Sequence, residues 1–225
     1  MISSTTILLA FVLVVLGRYF LIPLLREWPG DMPETKRLRR LKDGAEFWRL
    51  FMQVARTMPS MRNIPKHDRI SPQLSERLML AVCGVNNCAK CSYLHTRTAL
   101  EKGIPENQVH DLLAGRYEGV AADELPAVLY AQHYAEQGGE VSDEARVAVV
   151  KAYGENKVHH MSLYLLSVHF GNLCCNTVHY YERGRLDDRE RLGLYLVYIL
   201  ARPIEWFITR SARQRELKRS MMEGN

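Results

Sequence analysis

The residues best equipped for chemistry lie between positions 76 and 95, in the stretch ERLMLAVCGVNNCAKCSYLH. Cys88 and Cys91 form a C-x-x-C pair, and His95 follows them by seven and four residues. On one helix, positions i, i+3 and i+7 share a face, so both thiols and the imidazole point the same way. The thiolate is the reactive form of cysteine, and a helix N-terminus lowers a thiol pKa in such a pair. Cys88, expected in the first turn of its helix, is favoured as that thiolate, whereas nearness to His95 favours Cys91. The residues leave the identity of the attacking sulfur open. His95 can take a proton from a thiol or hold one for a leaving oxygen. Glu76 lies on the preceding helix and can orient His95 if the two helices form a hairpin. Lys90, between the cysteines, adds positive charge if it turns inward.

Other chemistries are less well served. Cys83, Cys88, Cys91 and His95 match a Cys₃His zinc set in number, but three of them come from one helix face, and tetrahedral closure is strained. Haem attachment needs a histidine directly after the second cysteine, and Ser92 stands there. No metal and no cofactor are expected. Cys174 and Cys175 are vicinal, and adjacent helical residues diverge by about 100°, so packing is expected of them rather than a disulfide. His159, His160, His169 and His179 lie along the same segment without a tight metal face.

The elements that must position these groups are helical. Apolar residues Phe47, Trp48, Leu50, Phe51 and Val54 recur near helical spacing over residues 45–58. Ser71 followed by Pro72 is an N-cap with proline at the first helical position, and Gly84 suits the exit of that helix. Asn86 or Asn87 can cap the next, over residues 88–102, which Gly103 ends. Pro105 opens another, with Val109, Leu112 and Leu113 inward. Residues 124–137 form an amphipathic helix closed by Gly138 and Gly139. Ser142 opens a helix to Tyr153, and a long one follows over residues 157–181. Residues 184–191 read as a charged linker. The fold class is all-α, with the principal domain over residues 35–185.

The ends differ from the middle. Residues 3–25, a 23-residue window, hold apolar runs at 7–16 and 19–25 and one charge, Arg18, and about 20 residues span a bilayer. An uncleaved anchor over residues 1–30 is expected, with the bulk of the chain cytoplasmic because positive charge follows it. Residues 186–225 form an apolar and basic extension. Its stretch at 192–208 fits an amphipathic helix at the membrane interface or a core helix. The net charge is +5 over 225 residues. The basic residues cluster at 36–42 and 210–219, beside apolar segments, which suits a membrane surface and not a nucleic-acid groove. Five cysteines, an odd count, exclude a secreted disulfide framework and fit a reducing compartment. Hydrophobic content of 47% with 24% charged residues excludes a mainly disordered chain.

Glu76, then Cys88, Cys91 and His95 at their spacing, followed by ALEKGIP, resembles the carboxymuconolactone decarboxylase-like superfamily, and within it the alkylhydroperoxidase D-like branch. The resemblance covers roughly residues 40–180. It implies an all-helical subunit that assembles as a homo-oligomer, a trimer or hexamer. It also implies a thiol-dependent peroxidase that reduces hydroperoxides through a dithiol/disulfide cycle. In that scheme Cys88 and Cys91 are the redox pair, His95 the base and Glu76 its partner. An external dithiol or thiol-redox protein serves as reductant. Family members often carry histidine just before the second cysteine, where this chain has Lys90. Decarboxylase members generally lack the C-x-x-C, which disfavours the lactone reaction. The alternatives are a disulfide reductase that acts on another redox protein, and a non-enzymatic helical scaffold with structural zinc.

Overall fold

A computed structural model describes residues 38–183 and 188–223. The expected anchor at 1–30 lies outside the described residues. Among them eight α-helices and no strands occur, which agrees with the all-α expectation. They are α1 (Gly44–Thr57), α2 (Pro72–Asn86), α3 (Ala89–Glu101), α4 (Glu106–Leu113), α5 (Leu125–Glu136), α6 (Asp143–Tyr153), α7 (Glu155–Arg183) and α8 (Asp188–Glu223). Two short 3₁₀ turns, Met58–Asn63 and Lys66–Asp68, join α1 to α2.

The cap chemistry sets most boundaries. The Asp43 side chain accepts from the Glu46 amide at 2.8 Å and starts α1. Ser71 accepts from Leu74 N–H at 2.9 Å ahead of Pro72, and Ser142 caps α6 in the same way. Each such cap is worth roughly 1 kcal/mol. Gly103, at φ +80°, lets the chain leave α3 through the left-handed region.

Two expected boundaries move. Helix α2 does not exit at Gly84 but continues through it to Asn86. Gly84 is required there for a different reason. A Cβ at this position would come within 2.5 Å of the Leu113 carbonyl oxygen, so the glycine permits close approach of α2 to the end of α4. Neither Asn86 nor Asn87 is the N-cap residue of α3. Asn87 adopts the left-handed conformation, φ +52°, and its N–H bonds back to the α2 carbonyls of Cys83 and Gly84. Asparagine tolerates this region better than most residues. Cys88 is then the N-cap residue of α3, with its carbonyl accepting from Ser92 N–H at 2.8 Å.

Helix α7 is the axis of the fold. Its buried residues run from Val158 to Val178 and face all round, as expected for a central helix. Met161, Leu165, Val168 and Cys175 pack into one cluster with Leu78, Leu80 and Val82 of α2 and Val128 of α5. Phe170, Leu173, Cys174 and Val178 pack into a second cluster with Phe47 and Leu50 of α1 and Val197 and Ala201 of α8. Burial of each large aliphatic side chain contributes about 1.5–3 kcal/mol. Asn176 joins the two regions. Its Nδ2 donates at 2.8 Å to the carbonyls of both Arg39 and Asn86.

Residues 188–191, read as linker from the sequence, are helical and open α8. Helix α8 belongs with the rest of the described chain to one compact unit, 36–225. It buries Leu194, Val197, Tyr198, Ala201, Arg202 and Glu205, and exposes Leu192, Tyr195, Leu196 and Phe207. Within it, Arg189–Ser211 is, among the described residues, the one segment long and apolar enough to cross a membrane, with a third of it buried against the protein.

Candidate active site

The left-handed turn at Asn87 folds α3 back beside α2, and this places Glu76 next to His95. Glu76 is 3% exposed. Its Oε2 accepts from His95 Nδ1 at 2.9 Å, and its Oε1 accepts from Lys102 Nζ at 2.6 Å. Burial pushes the carboxyl up, but the hydrogen bonds and positive charges of His95 and Lys102 outweigh it and hold Glu76 below the usual carboxylate range. With Nδ1 held on the carboxylate, Nε2 is the ring nitrogen left for proton transfer. Lys102 was not singled out from the sequence. It lies at the far end of α3, seven residues beyond His95, and i, i+7 spacing puts it on the His95 face.

Cys88 and Cys91 are buried, at 1% and 3% exposure. Their sulfurs lie with that of Cys175, all three within 4.8 Å of one another. Burial raises the Cys88 thiol, yet hydrogen bonds from the Cys175 and Cys91 thiols, the Cys91 backbone N–H and the Lys90 charge outweigh it, and Cys88 sits well below an ordinary thiol. Cys91 is raised by its hydrogen bonds to Cys175 and Cys88 and by burial. Of the three sulfurs, Cys88 is the one whose surroundings favour the thiolate, and those of Cys91 and Cys175 favour the thiol.

Lys90 turns inward. It pairs with Glu205 of α8, and Glu205 in turn accepts from Arg202 at 2.7 Å. The partner lies 115 residues away, which no local spacing rule could supply. Helix α8 thus reaches the C-x-x-C segment through a buried charge network.

The zinc set considered from the sequence is not assembled. Cys83 Sγ faces Asn172 Oδ1 at 3.6 Å, and His95 is committed to Glu76. Among the described residues the group close enough to share a metal ion is Cys88, Cys91 and Cys175. The vicinal pair separates as its 100° divergence requires, but not into two packing residues. Cys174 packs against α1 and α8, whereas Cys175 joins the site. His169 does not belong to that sulfur group. Its Nδ1 meets Asn86 Nδ2 at 3.1 Å, and burial, aided by Arg39, lowers its pKa to about 4.

Glu76 also borders a pocket of about 420 Å³, together with Arg69, Lys102, His160 and Tyr164. His160 accepts there from Ile70 N–H through Nδ1 at 2.9 Å. The cysteines do not line this pocket.

Comparisons with curated proteins and with solved structures give no match. Residues 53–137 match the model of the carboxymuconolactone decarboxylase family. That segment carries Glu76, Cys88, Cys91, His95 and Lys102, and ends before Cys175 and α8. The match supports the carboxymuconolactone decarboxylase superfamily for the part of the chain that holds the site.

Proposed function

We propose that this chain is a thiol-dependent peroxidase of the alkylhydroperoxidase D-like kind. The observation that carries the reading is the carboxylate-held imidazole of His95 on the same helix as a C-x-x-C whose first sulfur is favoured as thiolate. The Cys88 thiolate attacks the terminal oxygen of a hydroperoxide. The O–O bond breaks, Cys88 becomes a sulfenic acid, and the leaving alkoxide takes a proton through His95. The Cys91 thiol then attacks the Cys88 sulfur. A disulfide forms and water leaves with the sulfenic oxygen and the Cys91 proton. An external dithiol resets the pair by exchange.

A homo-oligomer, trimer or hexamer, belongs to the same proposal, as does membrane association. Exposed Leu192, Leu196 and Phe207 on α8 suit an interfacial position, and the basic residues beyond Thr209 suit an anionic surface.

The test is stopped-flow addition of one equivalent of hydrogen peroxide or cumene hydroperoxide to the reduced full chain, with thiol counting and peptide mapping. Loss of two thiols per peroxide and a mapped Cys88–Cys91 disulfide support the reading. No peroxide consumption with fast exchange against a protein disulfide would replace it with disulfide reductase. Stoichiometric zinc retained under reducing conditions would replace it with the scaffold.

A further inference from the structure

Cys175 lies outside the segment that matches the family model, 84 residues from Cys91, yet the two sulfurs are 3.8 Å apart. A disulfide has an S–S distance of about 2.05 Å, so bond formation needs sulfur movement of under about 2 Å, within the reach of side-chain rotation. Cys175 is 2% exposed, as deeply buried as Cys88 at 1% and Cys91 at 3%. A buried cysteine with no redox neighbour is ordinarily a packing residue. Cys174 is such a residue. Cys175 faces the two sulfurs on which the proposed cycle depends.

We propose that Cys175 is a third redox-active thiol that accepts the disulfide from Cys88 after peroxide reduction. The proposal rests on the peroxidase reading above. In the step, the Cys175 sulfur attacks Cys91 Sγ in the Cys88–Cys91 disulfide. The Cys91–Cys175 bond forms, the Cys88–Cys91 bond breaks, and Cys88 departs with the electron pair as thiolate. The Cys175 proton passes to water. One disulfide is exchanged for another, with no net oxidation.

Two features give the step its direction. Exchange is faster when the leaving thiol has the lower proton affinity, and the surroundings of Cys88 are those that stabilise its charge. In the reduced site the hydrogen bond to Cys88 holds the Cys175 thiol protonated, as do burial and the charges of Cys88 and Glu205. In the disulfide both Cys88 contributions are gone, while burial and Glu205 remain. The outcome returns Cys88 to its thiolate form and moves the oxidised bond onto α7, beside Glu205 of α8.

The test is quench-flow oxidation of the reduced full chain with one equivalent of cumene hydroperoxide, acid quench, alkylation and non-reducing peptide mapping, with fragmentation that separates Cys174 from Cys175. The expected result is a Cys88–Cys91 peptide at early times, replaced in part by a Cys91–Cys175 peptide, with Cys88 then found alkylated. Loss of the second peptide is expected in Cys175→Ala, with Cys88–Cys91 accumulating instead. The unmodified chain alone decides the matter if that variant fails to fold. A Cys88–Cys91 disulfide with Cys175 wholly alkylated at all times overturns the inference and leaves the peroxidase intact. If peroxide oxidises no thiol, the peroxidase reading fails. Diamide then tests the trio separately, and a Cys91–Cys175 disulfide formed with it supports the third thiol, whereas its absence overturns it.

Discussion

Replacement of Glu76 by glutamine isolates what the buried carboxylate does for His95. The substitution keeps the volume and one acceptor oxygen but introduces an NH₂ group. Glu76 faces two donors, the Lys102 ammonium at 2.6 Å and His95 Nδ1 at 2.9 Å. An amide cannot turn its NH₂ toward an ammonium, so its oxygen goes to Lys102 and its NH₂ to His95. Nδ1 must then accept, and the negative charge that supports a protonated ring while it passes a proton to the leaving alkoxide is lost. General acid–base groups contribute about 10²- to 10⁴-fold, equivalent to about 3–5.5 kcal/mol of barrier.

The stability cost is smaller. Breaking a fully buried pair costs about 3–5 kcal/mol, but the side chains of Lys102 and His95 are 30% and 17% exposed and can regain water. A loss of about 1–2 kcal/mol is expected after that discount. The assay is single-turnover peroxide consumption beside thermal unfolding. Glu76→Gln is expected to slow Cys88 oxidation at least 100-fold while it remains folded. A folded variant within twofold of the unaltered rate would refute the role given to the pair. The carboxylate also carries a pH signature. Its folded pKa lies below the unfolded value, so its contribution is present above the unfolded pKa and is lost as pH falls through the folded one. Glu76→Gln should flatten the acid limb of the stability curve below pH of about 4.5.

Three further outcomes are expected. Lys90→Gln removes a positive charge that favours the Cys88 thiolate, so thiolate absorbance at neutral pH should fall and peroxide-driven oxidation should slow several-fold; an unchanged thiolate fraction counts against the charge effect. Gly84→Ala puts a methyl group within 2.5 Å of the Leu113 carbonyl oxygen and should cost about 1–3 kcal/mol, read as a lowered midpoint in urea; an unchanged midpoint means that α4 yields freely. His169 is buried neutral with its pKa at about 4, below the ordinary value of about 6.5. Unfolding takes up a proton between those limits, so stability should fall by up to about 3 kcal/mol as pH drops from 6.5 to 4, and His169→Gln should remove that slope in pH-dependent urea titrations.

What could be read from the chain followed physical range. Ser71, Pro72, Ser142 and Gly103 act within a turn of their own position, and the helices begin or end where they stand. Glu76 and His95 are 19 residues apart, but one hairpin between two helices brings them together, so their meeting could be anticipated from the helix pattern. Gly84 was misplaced because a glycine that ends a helix and one that admits a neighbouring backbone look identical until α4 is in place. Cys175 was missed because the 100° divergence of a vicinal pair says that the two residues face different ways and not what each one faces. Lys90 and Glu205 could not be paired from sequence, since their contact depends on how α8 returns across α7. Lys102 was within reach, for it repeats on the His95 face of α3. The anchor expected over residues 1–30 lies outside the described residues.

The most direct measurement is the ultraviolet titration of thiolate absorbance in the reduced full chain, compared with Cys88→Ser. It reads ionisation without any reagent having to enter the buried site. One thiolate should be present at neutral pH, ionising well below an ordinary cysteine, and it should vanish in Cys88→Ser. A chain whose thiols all ionise above pH of about 8.5, with no difference in the variant, would contradict Cys88 as the resident nucleophile and the mechanism built on it.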